Sequence, residues 1–150
     1  MKKLLLPILV VSTLAFGAAQ EPKVLKVDPS AQAKADKQMK LQNKNVIKFV
    51  IEEYKRKLPQ KVDNYTQFVD ISSKDLTLIY TFEINTGAKS DETVIKEDKK
   101  RMGEMVKLGI CKSSQRFLDS DINLSYVYNS QATKKELFKF NVTKKDCSNI

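Results

Sequence analysis

The stretch Leu76-Thr77-Leu78-Ile79-Tyr80-Thr81-Phe82-Glu83-Ile84 decides the fold. Leu76, Leu78, Tyr80, Phe82 and Ile84 fall at every second position, with Thr77, Thr81 and Glu83 opposite. A period of two places alternate side chains on opposite faces, so this is a strand with one apolar and one polar side. Asn85-Thr86-Gly87 stops it. Upstream, Ser72 to Asp75 reads as a turn and Thr66-Gln67-Phe68-Val69-Asp70-Ile71 as a second strand. The short connection predicts an antiparallel hairpin.

The pattern returns downstream. Ile122, Leu124, Tyr126 and Tyr128 alternate, residues 129–133 form a loop, and Phe138, Phe140 and Val142 alternate again. The segments 75–82 and 121–128 share D-[LI]-x-L-x-Y-x-[FY]. Duplication would explain the echo, and so would the sameness of amphipathic aromatic strands. It matches the second strand of one hairpin to the first of the other, which a tandem repeat would not do.

Before each hairpin the period changes to that of a helix. Val46, Ile47, Val50, Ile51, Tyr54 and Leu58 make an apolar stripe, with Lys48, Glu52, Glu53, Lys55 and Arg56 on the other face. Leu58-Pro59 ends it, because the residue before proline avoids the helical region. Ser90 or Asp91 caps a second helix, with Glu92 near its positive end. Its stripe is Ile95, Met102, Met105, Val106 and Ile110; Gly103 and Gly109 weaken it, and Gly109 marks its end. Phe117 and Leu118 add one inward-packed turn. The expected class is α+β: a four-stranded antiparallel sheet in α-β-β-α-β-β order, both helices on one face and one disulfide. The open face would carry Thr77, Thr81, Glu83, Asn123 and Ser125.

Residues 1–19 have Lys2 and Lys3, an apolar run from Leu4 to Phe16, and small residues after it. That is the order of a secretory signal, too short for a spanning helix. Residues 20–44 read as a polar linker or frayed helix, with Asp28 and Pro29 suited to N-cap and N1, and residues 45–150 as one domain. The mature form is expected to have no transmembrane anchor and to be periplasmic or secreted. In an oxidising compartment the only two cysteines, Cys111 and Cys147, read as one disulfide tying the C-terminal strand to a helix end.

The chain carries a formal charge of +9 over 150 residues. Lysine dominates, and the only arginines are Arg56, Arg101 and Arg116. A nucleic-acid reader favours arginine, whose fork matches phosphate, so no nucleic-acid partner is expected. A solvated, mildly basic surface accounts for the charge; attraction to an anionic partner is the sharper reading.

Absences narrow the chemistry. With no histidine, His-based triads and zincin sites are impossible. Two thiols without histidine make a poor zinc site, so no metal is expected. Gly87, Gly103 and Gly109 form neither a phosphate loop nor a dinucleotide fingerprint, and no cofactor is expected. Carboxylate chemistry survives through Asp63, Asp70, Glu83 and Asp121, each with an ordinary turn or surface role available. Tyr65, Tyr126 and Tyr128 are candidates for a binding surface, against a core role for alternating aromatics.

Pro59, Val62, Asp63, Thr66, Tyr80-x-Phe82, Cys111, Tyr126-x-Tyr128 and Asp146-Cys147 together resemble a loose group of small exported bacterial proteins and lipoproteins of unassigned function. The resemblance spans residues 45–147, without the lipobox cysteine of the lipoprotein members. It implies an envelope location and a paired C-terminal cysteine, and carries over no catalytic residue. The leading expectation is a non-catalytic binding or accessory protein of the cell envelope, not an enzyme, whose partner is another envelope or secreted protein. The alternatives are an inhibitor or immunity protein against an exported enzyme such as a wall hydrolase, and a small carboxylate glycan hydrolase.

Overall fold

The computed structural model describes residues 28–148; the expected signal segment and residues 20–27 of the expected linker lie outside them. The chain enters helix α1, Pro29–Lys55, where Asp28 accepts a hydrogen bond from Ser30 N at 2.9 Å and Pro29 occupies the first turn. From Pro29 onward this segment is continuous helix. Almost every side chain before Asn43 is exposed, and only from Asn43 and Ile47 does α1 meet the core.

Five strands follow: β1 Gln60–Lys61, β2 Thr66–Lys74, β3 Thr77–Ile84, β4 Asn123–Ser130 and β5 Glu136–Val142. Helix α2, Asp91–Ser113, and the short α3, Gln115–Asp119, separate β3 from β4. A 3-10 turn, Lys144–Cys147, closes the described chain. The strands stand in sequence order in one mixed sheet, antiparallel except for the parallel pair β3–β4.

This corrects the expected four antiparallel strands. Both hairpins form, but they join through parallel neighbours, and β1 adds a fifth strand at one edge. The cause is the crossover. At 1.5 Å per residue, the 23 residues of α2 span roughly 34 Å, more than the roughly 26 Å of the eight-residue β3. The chain is returned to the end where β3 began, so β4 runs the same way. Their register sets Leu78 beside Leu124, Tyr80 beside Tyr126 and Phe82 beside Tyr128. Parallel pairing therefore stacks like on like, with ring centroids 5.0 Å apart for Tyr80–Tyr126 and 4.9 Å for Phe82–Tyr128.

The alternation of strand β2 is interrupted. Phe68 and Ile71 are both buried though three residues apart, and a register shift between Phe68 and Asp70 turns the strand over between them. The two-residue β2–β3 loop places Asp75 at a φ of +53°, a sign that matches the twist of a tight hairpin.

The apolar faces meet as anticipated. Ile47 of α1, Val94 and Ile110 of α2, and Leu118 of α3 cover Ile71, Leu78, Leu124, Phe138 and Val142 of the sheet. Two readings change. Gly109 does not end α2, which continues to Ser113, and Met105 of its expected core stripe is 59 % exposed. On the opposite sheet face Ser125 is buried rather than open, while Thr77, Thr81, Glu83 and Asn123 are half-buried. Cys111, near the end of α2, is bonded to Cys147 of the 3-10 turn, with Cα atoms 5.4 Å apart. A capping box in that turn, in which Asp146 Oδ2 accepts from Thr143 N at 2.8 Å and Oγ1 at 2.7 Å, presents Cys147 to the helix.

Candidate functional site

Helix α1 packs on β2 and α2 on β5, so the two helices straddle the helix-side face of the middle strands. A row of rings crosses that face. Tyr54 of α1 meets Phe68 edge-on at 5.9 Å, Phe68 stacks on Phe82 at 5.1 Å, Phe82 on Tyr128 at 4.9 Å, and Tyr128 meets Phe138 at 6.4 Å. Four strands supply the rings from Phe68 to Phe138, and in-register β3–β4 pairing aligns Phe82 with Tyr128.

Between α2 and the β1–β2 loop a groove of about 540 Å³ reaches down to the row. Its floor is Phe82, Tyr126 and Tyr128; its wall is Met102, Met105, Val106, Gly109 and Ile110; its far rim is Val62, Asp63 and Thr66. A second recess of about 650 Å³ shares Asp63, Thr66, Met102 and Met105 and extends the groove past Tyr65, Ile84 and Phe138. This end is polar: Arg101 pairs with Asp98 at 2.6 Å, and Lys89 with Glu97 at 2.7 Å.

The rim is held in shape by one carboxylate. Asp63 Oδ1 accepts from Tyr65 N at 2.7 Å and Thr66 N at 2.8 Å, and Val62 N donates to Thr66 O at 2.9 Å. The Tyr65 N–H, then the N–H and hydroxyl of Thr66, hold the Asp63 carboxyl below its ordinary value. Asn85 N donates to Tyr65 O at 2.8 Å and pins the same loop to the end of β3. The result is a fixed rim that exposes apolar surface: Val62 is 57 % and Tyr65 68 % accessible, facing Met105 across the groove.

The floor stays uncharged over the physiological range. Burial pushes the Tyr128 phenol up to about 12, and burial likewise raises Tyr80 and Tyr126. A neutral aromatic floor, a flexible methionine wall and a clamped rim can bury an apolar segment.

Of the three tyrosines marked from sequence, Tyr126 and Tyr128 lie in the floor and Tyr65 at the rim of the adjoining recess. All three belong to one feature, although Tyr128 is itself almost fully buried. Met102, Met105 and Val62 were missed as site residues, and Asp63 was weighed only as a carboxylate, not as the clamp of the rim. The two methionines carry the same helical spacing as core positions. Asp63, two residues before Tyr65, carried the signal of an Asx turn.

The carboxylates considered for catalysis are scattered. Glu83 accepts two hydrogen bonds from Lys134, at 2.8 and 2.9 Å, Asp70 lies 4.0 Å from Lys55, and Asp121 occupies a turn with a φ of +59°. Among the described residues no group of three acidic, cysteine or histidine side chains is placed to hold a metal ion. None of the described helices is long and apolar enough to cross a membrane.

Three solved structures share the fold. A Pseudomonas aeruginosa protein assigned as secreted superposes with a TM-score of 0.64 at 12 % identity, over 73 % of this chain and 96 % of its own. EpsS, the type 2 secretion pilotin of Vibrio vulnificus, gives 0.54 at 16 % identity, over 77 % and 97 %. AspS, the type II secretion pilotin of Vibrio cholerae, gives 0.53 at 18 %, over 78 % and 99 %. At such identities the likeness is one of fold. No curated protein matches the sequence. A family pattern does match, over residues 41–138, and the chain belongs to that family, a domain of unknown function (DUF8479).

Proposed function

We propose that this protein is an exported, non-catalytic docking factor of the bacterial cell envelope, whose groove receives an apolar segment of another envelope protein. The observation that carries this reading is the unburied apolar surface of Val62, Tyr65 and Met105 around a floor of neutral rings. An apolar patch held open by a clamped loop lowers the ordering cost of binding. The fold shared with two secretion pilotins and a protein assigned as secreted supports an envelope setting, as does the signal-like N-terminal sequence. The separate occupation of Asp63, Asp70 and Glu83 supports a role without catalysis.

The test is capture from a detergent-solubilised, oxidised envelope extract with the wild-type protein and with M105E. Wild type is expected to retain one partner stoichiometrically. M105E, which places a charge at the mouth of the groove, is expected to lose at least ten-fold of it while keeping its circular dichroism. Equal retention by M105E would remove the groove from the account. Cleavage of wall glycan by the purified protein would replace docking with hydrolysis. A retained partner that is a wall hydrolase, inhibited on binding, would mark the protein as an inhibitor.

A further inference from the structure

The sheet face turned away from the helices carries a separate recess, of about 280 Å³. Ser125 of β4 lies at its centre, with Ile79 of β3 and Asn141 of β5 as its cross-strand partners. It is only 1 % exposed, and its Oγ has no hydrogen-bond partner among the described residues. A buried hydroxyl left unpaired costs free energy, so such a group in a folded protein calls for an explanation.

The surroundings supply one. Thr77, Asn123, Asn141 and Thr143 bring hydroxyl and amide groups to the lining. Lys74 and Lys139 bring two ammonium groups, and neither takes part in an ion pair among the described residues. One carboxylate, Asp75 in the hairpin loop, stands at the rim. Donors outnumber obligate acceptors and the local charge is positive, which is the donor set of an oxyanion.

We propose that this recess binds a phosphate group, carried by a lipid headgroup or by free phosphate. The hydroxyls and amides donate to its oxygens, the two lysines balance its charge, and Ser125 donates at the base. The site lies on the face opposite the groove and does not depend on the groove's role. Occupation by a lipid headgroup would turn the groove away from the membrane, toward a partner.

Inorganic phosphate titrated into the 15N-labelled protein, against chloride at matched ionic strength, tests this. The expected result is saturable shifts confined to Ser125, its strand neighbours and the side-chain amides of Asn123 and Asn141. Loss of a charge-assisted contact in K139Q, an exposed position, should weaken binding roughly ten-fold without affecting the fold. S125V should fill the base of the recess and abolish it. Shifts that fail to saturate, shifts spread over lysines such as Lys44 and Lys48, or unchanged affinity in K139Q would overturn the proposal. Co-sedimentation with phosphatidylcholine vesicles only when they contain phosphatidic acid, lost in K139Q, assigns the phosphate to a lipid. Saturable phosphate binding without vesicle association assigns it to a soluble ligand.

Discussion

Tyr128 shows how much one position carries. It closes the groove floor, stacks on Phe82 and meets Phe138 and Phe140 edge-on. Its phenol is held at about 12 against an ordinary value of 10.0, chiefly by burial. Since folding favours the neutral form, this contribution is complete below pH 10 and is lost as pH rises toward about 12. Urea midpoints from pH 8 to 12 should therefore fall less steeply in Y128F than in wild type. Parallel curves would mean that the ring is solvated in the folded protein. The sequence marks Tyr128 as a binding candidate, while its alternation with Tyr126 equally fits a core role. It did not separate the ring from the core, since a groove floor and a core use the same residues. Met105 failed the other way: its helical spacing read as core, and only the tertiary structure places it at the groove.

At the scale of elements, period and neighbour are different kinds of information. Alternation in residues 76–84 and 122–128 gave the face of each strand, but a period of two is silent about which strand lies alongside. The parallel pairing was nonetheless written in the echo. Asp75 and Asp121 both adopt positive φ just ahead of their strands, and Leu78–Leu124, Tyr80–Tyr126 and Phe82–Tyr128 are register partners. The shared pattern reflects two neighbouring strands meeting the same environment, without requiring a repeat. Helix α2 supports two predictions. Gly109 has open space where a Cβ would stand, so G109A should raise stability by about 0.5–1 kcal/mol through helix propensity. At Gly103 the added carbon would lie 3.0 Å from Phe140 Cε1, so G103A should gain nothing or lose, as thermal melts of the pair will show. The disulfide anchors the same helix to the chain end. With its cysteines 36 positions apart in sequence, replacing both by serine should cost about 3–4 kcal/mol in denaturant unfolding. A loss below about 1 kcal/mol would mean that the 3-10 turn docks without it.

At the scale of the molecule, helices cover one face of the sheet and leave a groove above its aromatic row, between α2 and a clamped loop. Sequence foretold helices over sheet. It did not foretell the groove, which depends on how far apart β2 and β5 hold the helices. The most direct measurement is site-specific photo-crosslinking in intact cells of the native host, from a benzoylphenylalanine at position 105 in the groove and another at position 81 on the opposite face. One discrete adduct is expected from position 105, mapping to an apolar segment of an envelope protein, and none to that segment from position 81. The same adduct from both positions, or from position 81 alone, would contradict it.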